Sequence, residues 1–141
     1  MANQLLGPGR EGFLLGEIDW DTATIKISAV RGYTFSSSHK FVSDATGAGA
    51  TLVATATLGS KTGTNGTADA ADATFTAVAA GAAITSLLIY QASAVTGGAD
   101  VASSAQRLIG YIDTATGLPV TPNGGDVVVQ FDNGSNKIFT L

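Results

Sequence analysis

His39 is the only histidine of the 141-residue chain, and Ser36, Ser37 and Ser38 stand directly before it. A serine nucleophile with a histidine base is the chemistry these residue types could do. That chemistry needs nucleophile, base and orienting acid to converge in space, which adjacency along a chain does not provide. No Gly-x-Ser-x-Gly elbow is present. The expectation is a solvated loop histidine.

Carboxylates are the next candidates. Asp19 and Asp21 could share one side of an extended segment, and Asp113, Asp126 and Asp132 fall at strand ends that could converge. Calcium takes six to eight oxygen ligands, often with a distal glutamate, and Asp132-Asn133-Gly134-Ser135-Asn136 has neither the spacing nor the glutamate of an EF-hand loop. Asp and Asn at such places bond to their own backbone and make turns. A glycosidase pair needs two facing carboxylates, yet the only glutamates, Glu11 and Glu17, both lie near the N-terminus. Gly59-Ser60-Lys61-Thr62-Gly63 resembles the end of a phosphate-binding loop. Ala54 stands where its first glycine belongs, and no helix is predicted to follow. The chain is therefore expected to be no enzyme, with no catalytic residue, no cofactor and no metal.

Composition points elsewhere. Of the 45% apolar residues 23 are alanine, and 18 glycines accompany them. Alanine buries little area, and glycine loses the most backbone entropy on folding. A core of this kind gains from packing against copies of itself or a larger partner. The seven Lys and Arg are scattered from Arg10 to Lys137, so no cationic face for nucleic acid is expected. Net charge is −4 and cysteine is absent, which removes disulfides and thiolate sites and fits folding in a reducing cytoplasm. Residues 1–15 lack the basic start and apolar run of a signal peptide. The uncharged stretch 73–99 is long enough to span a bilayer, but it is mostly small residues between Asp72 and Asp100, so two strands around a turn at 79–83 are expected and no membrane association.

The elements follow from period and punctuation. An arm, Met1–Gly9, ends on the breaker Gly7-Pro8-Gly9, and Arg10–Leu15 is predicted as a short helix with Phe13 and Leu14 facing inward. Leu5 and Leu6 either pack on their own domain or dock into a neighbouring subunit. Thr24–Val30 and Thr51–Leu58 alternate as half-buried strands, the second with Leu52, Ala54, Ala56 and Leu58 on one face. Tyr33–Gly49 reads as a long polar excursion anchored by Phe35 and Phe41. Asn65-Gly66 predicts a tight hairpin. Ala73–Val78 and Ile84–Gln91 follow as strands. The latter is apolar on both sides, with Ile84, Leu88 and Tyr90 opposite Leu87 and Ile89, so it should be central. Ala92–Ser104 is a small-residue loop and Gln106–Asp113 a strand. Asp126–Asp132 and Lys137–Leu141 are predicted to pair as a terminal hairpin, with the C-terminus tied into the core. The expected fold is all-β: a single-domain β-sandwich, or a Greek-key or jelly-roll-like barrel, over residues 17–141, preceded by an N-terminal arm and short helix over 1–16.

The segment Arg107-Leu108-Ile109-Gly110-Tyr111-Ile112-Asp113-Thr114-Ala115-Thr116-Gly117-Leu118-Pro119-Val120-Thr121-Pro122-Asn123-Gly124-Gly125-Asp126 resembles a family of small structural proteins of tailed-bacteriophage virions. Val129-Gln130-Phe131-Asp132-Asn133-Gly134-Ser135-Asn136-Lys137-Ile138-Phe139 is similar to that family's ending. Ile18-Asp19-Trp20, Thr24-Ile25-Lys26 and Asp72–Val78 add to the likeness, while Ser36–Gly49 and Ala92–Ser104 match poorly. The resemblance implies a virion protein, made in the host bacterial cytoplasm, and no catalytic residues. Its leading form is a capsid decoration or cement protein that binds and stabilises the major capsid shell. Its partners would then be the major capsid protein or neighbouring virion proteins, and it would form a homo-oligomer, a trimer first. A neck or tail ring component is the alternative, and a host- or glycan-binding module the second. Leu5, Leu6, Phe13 and Trp20 are the candidate assembly contacts.

Overall fold

The computed structural model describes residues 3–95 and 97–141. Among them the chain forms β1 (Gln4–Leu5), α1 (Gly7–Leu14), β2 (Thr24–Arg31), α2 (Val42–Gly47), β3 (Thr51–Thr57), β4 (Thr62–Thr64) and β5 (Thr67–Asp69). β6 (Ala73–Phe75), β7 (Ser86–Ser93), β8 (Arg107–Ile112), β9 (Val127–Val129) and β10 (Phe139–Thr140) complete it. With 35% strand against 10% helix the protein is mostly β. Met1 and Ala2 of the expected arm, and Thr96 of the expected loop, lie outside the described residues.

The main sheet has the order β1-β8-β7-β2-β3, and every neighbouring pair is antiparallel. β7 lies at its centre with all eight residues buried, as a strand apolar on both sides requires. Leu87 and Ile89 face one core with Ile25, Ile27, Ala29 and Ile109. Leu88, Tyr90 and Ala92 face a second core with Val30, Leu108 and Tyr111. Two smaller sheets, β10-β5-β4 and β6-β9, contribute Ala68, Ala73 and Phe75 to the first core. Leu6, Val42 and Ala45 contribute to the second. Ile84, expected on the face of Leu88, belongs instead to the core of Leu87. It lies ahead of β7 and bridges to Val120, so the strand's alternation does not extend to it.

Several expectations are corrected by long-range pairing. β9 pairs with β6 and β10 with β5, so the last two strands do not form a hairpin with each other. The turn between them has the anticipated chemistry, with Asp132 Oδ1 accepting the Gly134 N–H at 2.9 Å. It directs the chain toward another sheet. At the C-terminus Phe139 is half-buried, whereas Leu141 is exposed. In β3 the pairing with β2 shifts register between Ala29 and Val30. A one-residue shift exchanges the faces of a strand, so Leu52 packs with the second core while Ala54, Ala56 and Leu58 pack with the first. The Asn65-Gly66 hairpin is as expected: Thr64 pairs with Thr67, and both turn residues have positive φ, 51° and 79°.

The N-terminal segment is part of the main sheet. β1 pairs with β8 as an edge strand, and α1 lies against β8. Gly7-Pro8-Gly9 is no breaker but the first turn of α1, where proline's missing N–H has no helical partner to lose. Phe13 packs at 5.8 Å from the Phe139 ring, but Leu14, expected inside, is 87% exposed. The excursion 33–49 contains α2, a helix too short to show a sequence period. Asp44 holds its start by accepting the Lys40 and Phe41 N–H groups, both at 2.9 Å, the returning half of a capping box.

Two predictions follow from these contacts. A Cβ at Gly9 would lie 2.8 Å from the Leu108 carbonyl oxygen and 2.9 Å from that of Ile109, whereas one at Gly47 would meet nothing within 4 Å. Gly9→Ala should therefore destabilise by about 1–3 kcal/mol through overpacking, against the preference of about 1 kcal/mol that helix propensity gives alanine. Gly47→Ala should stabilise by about 0.4–1 kcal/mol. Urea unfolding of both variants checks the opposite signs. For Asp44, the bonds from Phe41 and then Lys40 hold its carboxyl below its ordinary value of 3.8. A lowered folded-state value gives stabilisation that is full above the unfolded-state value and lost as pH falls through the folded one. Asp44→Ala should cost about 0.5–2 kcal/mol at neutral pH. Thermal unfolding followed into acid should show that gap closing as pH falls below 3.8.

Candidate functional site

The residues that could do chemistry are engaged in local contacts. His39 Nδ1 is hydrogen-bonded to the Tyr33 hydroxyl at 2.7 Å and its ring stacks on Tyr33, so it is half-buried rather than a freely solvated histidine. Ser36 and Ser38 bond to each other at 2.8 Å. Burial pushes the Tyr33 phenol up to about 12. Phe35 stacks on Tyr111 at 4.2 Å, so the rings of this cluster pack mainly on one another.

The carboxylates mostly accept backbone N–H groups, within turns or from distant segments. Asp19 accepts the N–H groups of Asp21 and Thr22 at 3.0 Å and the Thr22 hydroxyl, which holds its carboxyl below the ordinary range. Asp72 accepts the Phe131 N–H at 2.9 Å and Asp126 that of Ala77 at 2.8 Å. Asp113 accepts the Thr114 hydroxyl, and Asp132 is occupied in its own turn. Among the described residues no group of three His, Asp or Glu side chains is placed to hold a metal ion. No helix among them is long and apolar enough to cross a membrane.

Glu17 pairs with Arg107, a guanidinium only 5% exposed that also donates to the Pro8 carbonyl and lies over the Phe41 ring at 5.8 Å. This buried cation fastens α1 and the segment after it to β8.

Among the described residues two apolar features at the surface stand apart from the singly exposed Val95, Val101 and Leu141. The first is an open groove of about 440 Å³ where the ends of β2 and β7 meet β9 and the link after β8. Phe75, Ile84, Leu87, Leu118, Val120 and Val127 line it, with Ala115–Gly117 on the rim, and none of its lining residues is charged. The second is the pair Leu14 and Leu15, 87% and 62% exposed, beside Gly16 at φ 73°. Neither was among the sequence candidates. Those residues go elsewhere: Leu5, Leu6 and Trp20 are buried in their own chain, Trp20 against Phe139 with its indole N–H on the Thr62 carbonyl at 3.0 Å. Phe13 is half-buried. Leu5, Leu6 and Trp20 therefore offer little surface to a partner. The leucine pair had a legible signal, because adjacent helical residues are about 100° apart. Phe13, Leu14 and Leu15 cannot all face one sheet. The groove had no such signal, since its walls come from distant segments.

Comparisons with protein-family models, with curated proteins and with solved structures find no match for this chain.

Arg107→Lys tests the fastening. A lysine keeps the charge but loses the planar fork and the stacking on Phe41. The variant should lose about 1–3 kcal/mol in urea unfolding, the scale of hydrogen bonds to a charged group. Unchanged stability would remove Arg107 from this role.

Proposed function

We propose that this chain is a structural subunit of a tailed-phage virion, acting by packing against protein surfaces and not as an enzyme. The observation that carries the assembly role is the pair of uncharged apolar features, groove and leucine pair, on a chain this small. Exposed apolar surface of this kind marks interaction sites. The scattered carboxylates and the Tyr33-bound histidine agree with that role. The virion setting, and production in the bacterial cytoplasm, rest on the resemblance of 107–126 and 129–139 to phage structural proteins.

Within the virion, a decoration or cement protein bound to the major capsid shell is the leading form. The finer fold that goes with it is a β-sandwich whose second layer is split into the two- and three-stranded sheets. A neck or tail ring is the second form, favoured by one observation: the leucine pair and the groove lie at opposite ends of the main sheet, which suits head-to-tail contact. A glycan-binding module has less support, because Trp20, Tyr90 and Tyr111 are buried and sugar stacking needs open rings.

Quantitative mass spectrometry of purified particles separates these readings. A cement protein should be present in high copy number and leave the particles fragile when mild denaturant strips it. A copy number equal to a small multiple of the tail symmetry, with antibody label at one vertex, would replace shell by ring. Absence from the particles would overturn the virion setting.

A further inference from the structure

We propose that Leu14 and Leu15 of one copy insert into the groove of a second copy, making a head-to-tail interface. The inference rests on the assembly reading above and names the partner, a second copy of this chain.

Position is the first argument. The Glu17 carbonyl accepts the Gln91 side-chain amide at 3.1 Å, and the Glu17 carboxylate pairs with Arg107. These contacts anchor the leucine pair at the end of the main sheet where β7 finishes and β8 begins. The groove lies over Leu87, at the other end of β7. The four residue steps from Leu87 to Gln91 span about 13 Å at about 3.3 Å per residue, and the leucines stand beyond that end. They therefore cannot fill their own groove.

Chemistry is the second. The groove offers apolar walls without a charge, in a volume of about 440 Å³, within the range that accommodates a compact apolar group. Leu14, Leu15 and Gly16 form an uncharged apolar knob, and a Cβ at Gly16 would meet nothing within 4 Å. Copies carrying a net charge of −4 repel one another, so a self-contact must be neutral or bring opposite charges together. Glu11 is exposed on the same helical face as Leu15, one turn earlier. Arg31 ends β2 two residues beyond Ala29 of the groove, half-buried, with its guanidinium 3.4 Å from the Ala82 carbonyl. Asp126 and Asp113, also at that end, are engaged with the Ala77 N–H and the Thr114 hydroxyl. The knob thus brings an acid to the end of the sheet that carries Arg31.

An interface joining two different patches is heterologous. It closes into a ring or propagates as a filament, depending on the rotation between copies.

Analytical ultracentrifugation of the purified full-length chain tests this. The wild type should self-associate with rising concentration. A Leu14→Ser/Leu15→Ser variant and an Ala115→Trp variant should each weaken association by about tenfold or more. Both change exposed positions, so circular dichroism and melting temperature should stay close to wild type. Mixed together, the two variants should form a one-to-one dimer and nothing larger, because one retains only the groove and the other only the knob. Arg31→Glu should weaken association, and Glu11→Arg in the same chain should restore it. A wild type that stays monomeric at high concentration would overturn the proposal. So would variants that associate as the wild type does, or a mixture that yields no dimer. Dependence on the leucines without dependence on Ala115 would also reject the groove as their seat. The virion reading fails separately: self-association can hold for a chain absent from particles, and a chain abundant in particles can be monomeric in solution.

Discussion

The burial of β7 on both faces is the constraint on which the rest of the structure depends. A strand with Leu87 and Ile89 on one side and Leu88 and Tyr90 on the other must be covered twice. Each such side chain contributes roughly 1.5–3 kcal/mol only if water is excluded from its own face. A chain of 141 residues whose apolar fraction includes 23 alanines has little material for two covers. The covers are accordingly thin and drawn from distant segments. On one face Leu6, α2 and the rings of Tyr33 and Phe35 close over Tyr111 and Leu88. On the other, strands of two and three residues from separate sheets are laid over Ile27, Leu87 and Ile89.

The open groove is a consequence of that economy. β6 and β9 reach over the end of the main sheet as a two-stranded piece, and strands so few and short need outside packing for stability. Where they stop, Leu87, Ile84 and Phe75 are sealed only in part by the link after β8. The acidity has a related origin. Many short elements need many turns, and aspartate closes turns by accepting backbone N–H groups. Asp19 and Asp132 do so, Asp44 caps the start of α2 in the same way, and Asp72 and Asp126 accept N–H groups from segments 59 and 49 residues away. The negative charge is thereby distributed around the rim of the fold and leaves the groove neutral.

What was legible in the sequence divides along the same line. Local chemistry was readable in part: the positive-φ Asn65-Gly66 turn and the double apolar face of β7 appear as expected, whereas β2, expected to be half-buried, has six of its eight residues buried because it lies between β7 and β3. Pairing between distant segments was not. Asp126–Asp132 and Lys137–Leu141 have the composition of hairpin strands and the turn to join them. They nevertheless pair with β6 and β5, whose competing registers no local rule compares. The shift between Ala29 and Val30 moved Leu52 to the other core for the same reason. Gly7-Pro8-Gly9 misled in the opposite way, because proline and glycine break a helix interior but suit its first turn. Leu5, Leu6 and Trp20 were sound choices as large apolar residues. Their burial within the chain was decided by β8 and β10, which lie more than a hundred positions later.

The segment 107–126 is where core and groove meet. Its first six residues are β8, buried over Arg107–Tyr111. Its remainder includes Pro122, which is buried, and Gly117 and Gly124, whose positive φ values of 92° and 93° serve turns. Any chain sharing this piece of fold would need comparable residues there, so a likeness at those positions speaks first to packing. Ala115, Thr116 and Leu118 stand differently. They face the groove from its rim, and Ala115 and Thr116 are exposed, so burial does not require their small size. A small residue on an exposed rim keeps a groove open, whereas a larger one would close it at little cost to the core. The open rim is thus a property that folding does not demand, and an occupant seated between Leu118 and Val127 would demand it.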